Sequence, residues 1–216
     1  MRIVITGGGG FQGSFLAEKW VKAGHAVTVL NTHSLEANWN LTSVAEDISI
    51  VWGSVTDREI VEKTLRGHDV VVHMAARVNV DQSIANPESF VDVNIGGTLN
   101  ILETVRQTGA RMIFASSCEV YGDSDGTSLT EHSELRPHSP YAASKAGADR
   151  MCFAYYQSYG TNITILRPSN VYGERQRTGV GGAVIPIFVS LASKGNPLTV
   201  FGNGEQRREY IHVSDI

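Results

Sequence analysis

Two short segments of the chain carry side chains that could move protons to and from a bound molecule. In the first, Tyr141 and Lys145 are four residues apart and therefore lie on one face of a helix. A lysine in this position lowers the pKa of a tyrosine electrostatically, so that the phenol can exchange a proton with a hydroxyl group. The spacing is common, however, and by itself it fits a solvated helix face better.

The second segment, Ser116-Ser117-Cys118-Glu119, lies upstream of the first and comes after a run of apolar residues at 111–115. In an open parallel sheet, the carboxyl end of a strand borders the ligand crevice. A hydroxyl, a thiol and a carboxylate at such a place are candidates for acid–base chemistry.

A run of glycines near the start of the chain predicts a phosphate-binding turn. Gly7, Gly10 and Gly13 come after the first apolar run, with Phe11 and Gln12 between the last two. Glycines let the backbone turn sharply and approach a pyrophosphate, whose charge meets free N–H groups at a helix N-terminus. Both G-x-G-x-x-G (8, 10, 13) and G-x-x-G-x-x-G (7, 10, 13) can be read here, so the spacing alone does not define the subfamily.

The second apolar run, 26–30, is followed by Asn31 where a dinucleotide-binding chain usually has an acidic residue for the ribose hydroxyls. Asparagine can still hydrogen-bond a ribose, but it does not repel a 2′-phosphate as a carboxylate would. Segment 32–40 contains no arginine that would bind such a phosphate. The sequence therefore favours NAD over NADP.

Short apolar runs alternate with longer amphipathic stretches along the chain. The runs predict buried parallel strands at 2–6, 26–30, 48–52, 69–73, 111–115 and 163–167. The amphipathic stretches predict helices at 11–23, 57–66, 87–108 and 141–159, with Gly24 and Gly109 just past two of the helix ends. This alternation predicts an α/β fold with a doubly wound parallel sheet.

Composition excludes several classes of protein. The chain has 216 residues, is 42% hydrophobic and 19% charged, and carries a net charge of −4, which gives no electrostatic case for nucleic acid or an anionic membrane as partner. Cys118 and Cys152 form no metal-binding or disulfide pattern, so we expect no metal site. Together with the lack of an apolar stretch long enough for a membrane span, they predict a cytoplasmic protein.

Taken together, these motifs resemble the extended short-chain dehydrogenase/reductase family, which comprises NAD-dependent nucleotide-sugar epimerases and dehydratases. The resemblance covers nearly the whole chain, and its motifs are TGGGGFQG at 6–13, HMAA at 73–76, VDQSI at 80–84, NIGGT at 94–98, SSCEVYG at 116–122, YAASK at 141–145, LRPSNVYG at 166–173 and REYIHVSD at 208–215. It implies a Rossmann fold, with NAD as cofactor and a nucleotide sugar as substrate.

The resemblance also implies roles for individual residues. Ser117 and Tyr141 would hold the hexose 4-hydroxyl, and Lys145 would bind the nicotinamide ribose and tune Tyr141. Further cofactor contacts are expected at Ser54, Val55, Ala75, Asn94, Pro168 and Val171, and substrate contacts at Val78, Asn170 and Arg208. Ser54 departs from the acidic residue of relatives, so a side-chain contact to adenine is in doubt there, although the backbone of Val55 could still serve.

Cys118 and Glu119 bear on the reaction that a sugar oxidised at C4 would undergo. In 4,6-dehydratases of this family an Asp-Glu pair occupies these places, and the glutamate removes the C5 proton while the aspartate protonates the departing C6 hydroxyl. The Cys-Glu pair of this chain resembles the one in tunicamycin-type UDP-N-acetylglucosamine 5,6-dehydratases. The alternatives are a UDP-sugar 4-epimerase, a UDP-glucuronate decarboxylase-like enzyme, in whose family a glutamate also occupies this place, and a non-catalytic NAD-binding protein. A separate alternative is that Glu119 only supports the site and Cys118 only packs.

The sequence predicts two domains, an NAD-binding Rossmann domain at 1–170 and part of a substrate-binding cap at 171–216. We expect the chain to be truncated, since it stops inside the last motif and Ser214 or Asp215 would cap a further helix. The helices at 87–108 and 141–159 carry apolar residues around much of their circumference, and in this family they build a dimer interface. A homodimer is therefore expected.

Overall fold

The computed structural model describes residues 1–33, 36–124, 126–179 and 182–216. These residues divide into two compact units, Met1–Arg167 and Pro168–Ile216. The first unit contains the glycine turn and both of the segments with acid–base side chains.

Strands and helices alternate through the first unit. Its strands are β1 (Arg2–Thr6), β2 (Ala26–Asn31), β3 (Ile48–Trp52), β4 (Val70–His73), β5 (Arg111–Ala115) and β6 (Ile163–Leu166). Its α-helices are α1 (Phe11–Lys22), α2 (Arg58–Leu65), α3 (Val80–Ala85), α4 (Glu88–Phe90), α5 (Gly97–Thr108) and α6 (Pro140–Tyr159). Two 3-10 segments, Glu36–Val44 and Cys118–Tyr121, and a π-helical turn, Val91–Gly96, complete it.

Among the described residues, six strands form one parallel sheet in the order β3-β2-β1-β4-β5-β6. The chain runs outward from β1 in one direction and from β4 in the other, so a crevice opens between the carboxyl ends of these two strands. Thr6 and His73 are paired at that end of the sheet. The predicted α/β class with a doubly wound parallel sheet is confirmed.

Apolar side chains cover both faces of the sheet. On one face, Val4, Val71 and Phe114 are buried together with residues of α2, α5 and α6. On the other, Ile5 and Val29 are buried with residues of α1 and of the 3-10 segment. Burial on both faces explains why these strands read as continuous apolar runs rather than as an alternating pattern.

The helix predicted over 87–108 is present as one continuous helical run, but its hydrogen-bond pattern changes along its length. The segment begins as α4, widens into the π-helical turn and continues as α5, which ends at Gly109 with a left-handed φ of +72°. Hydrophobic spacing does not distinguish a π turn from an α turn, so the wider turn could not be predicted from the sequence pattern. The hydrophobic pattern also failed to predict α3, which is a short helix with three exposed apolar residues, among them Val80 and Ile84.

The second unit has a short parallel pair of strands, β7 (Asn170–Tyr172) and β8 (Tyr210–His212), and a helix, α7 (Val184–Ser193). Within the described ranges, we find no helix whose length and apolar character would let it cross a membrane.

Candidate active site

The turn between β1 and α1 is built on glycines whose side-chain positions are filled by neighbouring backbone. Gly7 has a φ of +70°, and a Cβ there would lie 2.8 Å from the Cα of Ala75. A Cβ on Gly13 would lie 2.7 Å from the carbonyl oxygen of Gly7, and one on Gly10 would lie 3.2 Å from the same oxygen. Backbone atoms cannot rotate away as the end of a side chain can, so this turn excludes larger residues.

These contacts distinguish the two possible glycine spacings. A Cβ on Gly8 would meet chiefly the methyl groups of Val29, at 2.8 Å, whereas Gly7 and Gly13 face backbone. The structure therefore supports the 7, 10, 13 spacing as the one that shapes the turn. Gly10 is the N-cap of α1, and among the described residues no side chain caps this helix. The N–H groups of its first turn remain suited to an anion at the carboxyl edge of the sheet.

Four predicted contact residues lie either at this turn or on the loop after β4. Phe11 and Gln12 form the start of α1 and are half-buried. Ala75 comes after β4 on the opposite side of the crevice, and its N–H donates to the Thr6 hydroxyl over 3.2 Å. Val78 lies further along this loop and is 64% exposed. Phe11, Gln12 and Ala75, which were predicted to contact the cofactor, thus lie close to the glycine turn in the fold.

A buried imidazole at the carboxyl end of β4 connects the residues that line the crevice. His73 Nδ1 lies 2.7 Å from the Thr6 hydroxyl and its Nε2 lies 3.0 Å from the Thr98 hydroxyl. The Thr98 hydroxyl donates to the carbonyl of Asn94 and therefore accepts from Nε2–H, which leaves Nδ1 as an acceptor. Burial, assisted by the charge of Lys145, lowers the pKa of His73 to about 3, so the ring is neutral at physiological pH and serves to shape the loops.

Asn94, predicted as a cofactor contact, uses its side chain for the protein itself. Its Oδ1 accepts from the N–H of Arg77 at 2.8 Å, and its Nδ2 donates to the Arg77 carbonyl at 3.0 Å and to the Ser144 hydroxyl at 2.8 Å. The π-helical turn aims this side chain at both partners. Asn94 therefore joins the loop after β4 to α6, and any contact it makes with a cofactor would add to these bonds.

The carboxyl ends of β2 and β3 carry neutral polar residues. Asn31 is buried at the end of β2. The Ser54 hydroxyl is hydrogen-bonded to that of Thr56 over 2.7 Å. Val55 is buried, and its carbonyl accepts from the Asn100 side chain over 2.9 Å, which leaves its N–H as the backbone group for another partner. Of these three predicted cofactor residues, none brings a charge to this part of the crevice.

The second acid–base segment continues from β5 as a single 3-10 turn. Ser117 is its N-cap, and the Ser117 hydroxyl accepts from the backbone N–H of Glu119 over 3.2 Å. Cys118 is half-buried and Glu119 is exposed. The turn ends at Gly122, which has a φ of +71° and whose missing side chain makes room for the carbonyl of Arg136.

Tyr141 lies in the first turn of α6, which begins with Ser139 as N-cap and Pro140 as its first residue. Burial raises the pKa of Tyr141, the hydrogen bond with Ser117 opposes this, and the charges of Glu119 and Cys118 add to the rise. The fold therefore brings Ser117 to the phenol, as the sequence predicted. The expectation that the pKa of this tyrosine is lowered is wrong for this structure, because burial of the phenol outweighs the favourable hydrogen bond.

Lys145 is 5% exposed and points away from solvent, one helical turn after Tyr141. Its ammonium donates to the carbonyl of Ala115 and lies 4.4 Å from the ring centroid of Phe114. Burial lowers the pKa of Lys145 to about 8, against the opposing charges of Cys152 and Asp149. The ammonium is thus anchored to the end of β5, and it does not lower the pKa of Tyr141 as the four-residue spacing had predicted.

The remaining predicted residues lie in the second unit. Asn170 begins β7, and both its backbone N–H and its Nδ2 donate to the carbonyl of Glu209 over 3.1 Å. Val171 is buried in the same strand, Pro168 precedes it, and Arg208 is exposed just before β8. The strand pair thus brings Asn170 and the segment that carries Arg208 together.

Several residues that hold the site together were missed. Thr6, Thr98 and Arg77 bind His73 or Asn94, and an ion pair of the buried Asp149 with the partly buried Arg167 lies behind Lys145. An aspartate four residues after Lys145, on the same helix face, is a signal that the sequence does contain. Its partner could not be found this way, because Arg167 comes from another part of the chain.

Comparison with known proteins finds relatives that are nucleotide-sugar dehydratases and epimerases. A dTDP-glucose 4,6-dehydratase of Mycobacterium tuberculosis is 38% identical over 221 residues, which cover 100% of this chain and 66% of that protein. The crystal structure of DesIV, a dTDP-glucose 4,6-dehydratase from Streptomyces venezuelae with NAD bound, matches with a TM-score of 0.91 and 36% identity over 100% of this chain and 69% of the other. A UDP-glucose 4-epimerase from Thermotoga maritima, solved with UDP-glucose, matches with a TM-score of 0.91 and 31% identity over 100% and 70%.

The sheet order, the glycine turn at β1 and the crevice between β1 and β4 define the Rossmann class of α/β folds. The profile of the NAD dependent epimerase/dehydratase family matches residues 3–216. The chain belongs to that family, as the sequence motifs had indicated. It spans 66% of the length of the M. tuberculosis relative.

Proposed function

We propose that this chain carries the cofactor-binding and catalytic part of an NAD-dependent nucleotide-sugar dehydratase. The observation that carries the proposal is the meeting of Ser117 and Tyr141, with Glu119 held two residues further along the same turn. Oxidation at C4 requires a phenol that exchanges a proton and a hydroxyl that hydrogen-bonds the substrate's 4-OH. Elimination across C5–C6 requires a further base, for which a carboxylate is suited.

The crevice fits NAD. The backbone-lined turn at Gly7, Gly10 and Gly13 leaves room for a pyrophosphate beside the N-terminus of α1. The neutral Asn31 can hydrogen-bond ribose hydroxyls, and the N–H of Val55 is available for an adenine nitrogen. When bound, NAD supplies an acceptor for the hydride that leaves C4 of the sugar.

In the first step, the residues of α6 and the 3-10 turn would act on the 4-hydroxyl of the hexose. Ser117 and Tyr141 hold this hydroxyl, and Tyr141 takes its proton as the C4 hydride departs, which leaves a 4-keto sugar. Only the phenolate form of Tyr141 can take this proton, and burial raises the pKa of the phenol, so the step should become faster as the pH rises. Lys145 holds its place through Ala115 and presents the ammonium at the inner end of the site.

The elimination would use Cys118 and Glu119. A 4-ketone acidifies the neighbouring C5–H, so the Glu119 carboxylate can remove that proton, while the Cys118 thiol donates a proton to the C6 hydroxyl and water leaves. With NAD bound, the hydride taken from C4 would be available to reduce the sugar again, so we expect no net release of reduced cofactor. Re-reduction at C4, with UDP-N-acetylglucosamine as substrate, is the finer version of this proposal, and it rests on the Cys-Glu pair alone.

Asn170 and Arg208 are proposed to bind the diphosphate of the nucleotide sugar, for which a guanidinium is well suited. Pro168 and Val171 are proposed to lie beside the nicotinamide. Val78 is proposed as a further substrate contact.

The test is the mass of the product. The protein is incubated with NAD and, one at a time, UDP-, dTDP- and GDP-hexoses, and products are identified by mass spectrometry and NMR. Loss of one water from the sugar is expected. Glu119→Gln should abolish this loss and leave NAD binding intact, whereas the matched variant Glu134→Gln, at an exposed position, should change neither. Elimination at the wild-type rate in Glu119→Gln would show that this carboxylate is not the C5 base.

A 4-epimerase is the second candidate, supported by the structural match to the UDP-glucose 4-epimerase of Thermotoga maritima. It would use Ser117, Tyr141 and Lys145 in the same first step and would have no need of Glu119. A product of unchanged mass with inverted C4 would identify it, and loss of carbon dioxide from a UDP-glucuronate would identify a decarboxylase. Retained NAD without turnover of any nucleotide sugar would indicate a non-catalytic NAD-binding protein.

A homodimer through α5 and α6 is also proposed, in a cytoplasmic protein. Helix α6 leaves Phe153, Tyr156 and Tyr159 about half exposed, at 45%, 54% and 58%. Exposed aromatic residues at helical spacing are typical of a surface that is covered by a partner. Analytical ultracentrifugation of the wild type and of Tyr156→Glu tests this: the wild type should sediment as a dimer and the variant as a monomer.

A further inference from the structure

Asp149 is a fully buried carboxylate behind the candidate active site. It is 0% exposed and lies on α6, one turn after Lys145. Aspartate is rarely buried without a partner, because removal of its charge from water is unfavourable. Its surroundings therefore indicate what keeps it there.

Arg167 is the main partner. Its Nε donates to Oδ2 of Asp149 over 2.8 Å and its Nη2 donates to Oδ1 over 2.9 Å. This bidentate geometry fixes the guanidinium and the carboxylate relative to each other. The remaining guanidinium nitrogen, Nη1, donates to the hydroxyl of Tyr121 over 2.7 Å, and the guanidinium carbon lies 5.0 Å from the centroid of the Tyr121 ring. One arginine thus touches both α6 and the last residue of the 3-10 turn that carries Cys118 and Glu119.

The pair connects three elements at the site. Arg167 comes directly after β6, Asp149 belongs to α6 and Tyr121 closes the turn that begins at Ser117. Burial alone would raise the pKa of Asp149, but its polar neighbours, among them Ser116 directly before that turn, lower it. The exposed Arg150 also contacts the carboxylate, but it reaches no residue of the turn among its described hydrogen bonds.

We propose that Asp149, Arg167 and Tyr121 are positioning residues, which hold the turn of Ser117 and Glu119 against the helix of Tyr141 and Lys145. The inference rests on the proposed function, since it assigns these residues to the machinery of that site. A buried ion pair contributes little net stability compared with apolar packing, so its place between the two halves of the site is better explained by orientation than by stability.

The charges around Lys145 give the proposal a second consequence. Its ammonium faces His73 from β4 and the Phe114 ring from β5, and on α6 it is flanked by Tyr141, Asp149 and Cys152. His73 is neutral, and Asp149 raises the pKa of Lys145 against the effect of burial. Replacing Asp149 by a neutral residue also leaves the positive charge of Arg167 unbalanced nearby. Both effects should make Lys145 lose its proton at lower pH.

The first part of the test concerns the turn. Tyr121→Phe removes only the hydroxyl that Arg167 binds, and Arg150→Gln is the matched control because it removes the other, exposed partner of Asp149. Amide hydrogen exchange is measured by NMR in the intact protein without substrate. We expect the amides of Glu119 and Gly122 to exchange at least tenfold faster in Tyr121→Phe and to stay within twofold of the wild type in Arg150→Gln. Unchanged exchange in Tyr121→Phe would overturn the positioning role.

The second part concerns Lys145. In Asp149→Asn, a side chain of the same shape without the charge, the pKa of Lys145 followed by NMR should fall below that of the wild type, whereas in Tyr121→Phe it should not change. An unchanged pKa in folded Asp149→Asn would contradict the electrostatic role. Should Asp149→Asn not fold, Arg167→Lys tests the positioning role instead. It keeps the positive charge but loses the fork that reaches Tyr121, so the Glu119 and Gly122 amides should exchange at least tenfold faster, and unchanged exchange would overturn the proposal.

Turnover then separates this inference from the proposed function. With an active wild type, Tyr121→Phe should lower kcat at least fivefold and leave KM within twofold, since the turn acts on the reacting atoms and not on the nucleotide. An unchanged kcat would overturn the inference. A wild type that transforms no nucleotide sugar would contradict the proposed function, while hydrogen exchange and the Lys145 titration would still decide whether these residues position the turn.

Discussion

Gly7 and Gly13 are packed so closely that a Cβ on Gly13 would lie 2.7 Å from the carbonyl oxygen of Gly7. The contact joins the end of β1 to the first turn of α1, and it is what brings the helix N-terminus close to the crevice. Real Cβ atoms do not approach an oxygen to this distance, so the turn depends on glycine at position 13.

Replacement of Gly13 by alanine should therefore displace the turn. We expect Gly13→Ala to weaken NAD binding at least tenfold, measured by isothermal titration calorimetry. Gly96→Ala is the matched control, because Gly96 is helical and its added Cβ would have 4.0 Å to the nearest described atom. NAD binding in Gly13→Ala equal to that in Gly96→Ala would refute the role of this contact.

The Ser117 hydroxyl should set the pH dependence of turnover. Its hydrogen bond favours the charged form of Tyr141, so its removal in Ser117→Ala should raise the pKa of the phenol further and move the rising limb of the kcat–pH profile to higher pH. Tyr141→Phe should lower kcat by about 10²-fold or more at every pH, as expected for loss of a general acid–base group. A Ser117→Ala profile that moves to lower pH would contradict the assignment.

Asn31 should control the choice of coenzyme. Asn31→Asp places a carboxylate where the ribose is expected, so it should improve discrimination against NADP at least tenfold while NAD binding is retained. Dissociation constants for both coenzymes are measured by calorimetry. Thr32→Asp is the control, since Thr32 is the exposed neighbour of Asn31. An equal effect of both variants would show that the general charge of this edge matters and not position 31.

His73 should make the protein sensitive to acid. The unfolded chain binds a proton on this ring below about pH 6.5, but the folded protein does so only near pH 3. The free energy of unfolding should thus fall as the pH drops through this window, by up to about 1.4 kcal/mol per pH unit from this group. Urea unfolding of the wild type and of His73→Gln between pH 4 and 7 measures the difference, and the variant should have the shallower slope. An NMR titration showing His73 protonated at pH 6 in the folded protein would contradict the prediction.

Asn94 should be needed for stability as well as for the site. Asn94→Ala leaves the N–H of Arg77 and the hydroxyl of Ser144 without this partner, so the free energy of unfolding should fall by about 1–3 kcal/mol. Asn79→Ala, which removes only the N-cap of the short helix α3, should have a smaller effect. Urea denaturation compares the two, and equal stability of Asn94→Ala and the wild type would show that these bonds contribute nothing.

The fold could be predicted well from the sequence because its signals are local. Strand runs such as 2–6 and 111–115 match the observed strands, and Gly24 and Gly109 adopt the left-handed backbone expected at helix ends. Hydrophobic period and the conformational freedom of glycine depend on neighbouring residues only. They therefore report on elements without reference to the rest of the molecule.

The sequence indicated which residues of the candidate site lie together, but it gave the wrong direction for the pKa of Tyr141. Ser117 and Tyr141 do meet, but the four-residue spacing of Tyr141 and Lys145 did not determine the pKa of the tyrosine. A pKa depends on burial, and burial is a property of the packed sheet and helices. For the same reason Asn94 proved to be bound to Arg77 and Ser144, which no local pattern connects to it.

By itself, the sequence determined the six strands of the sheet and the longer helices, the glycine turn and the family to which the chain belongs. Only the tertiary structure decided which glycines face backbone, that His73 is a neutral support, and that Asp149 and Arg167 join α6 to the turn of Ser117. The physical reason is distance along the chain. Hydrogen bonds and desolvation depend on residues that are far apart in sequence, and a pattern of residues that are adjacent in sequence does not predict them.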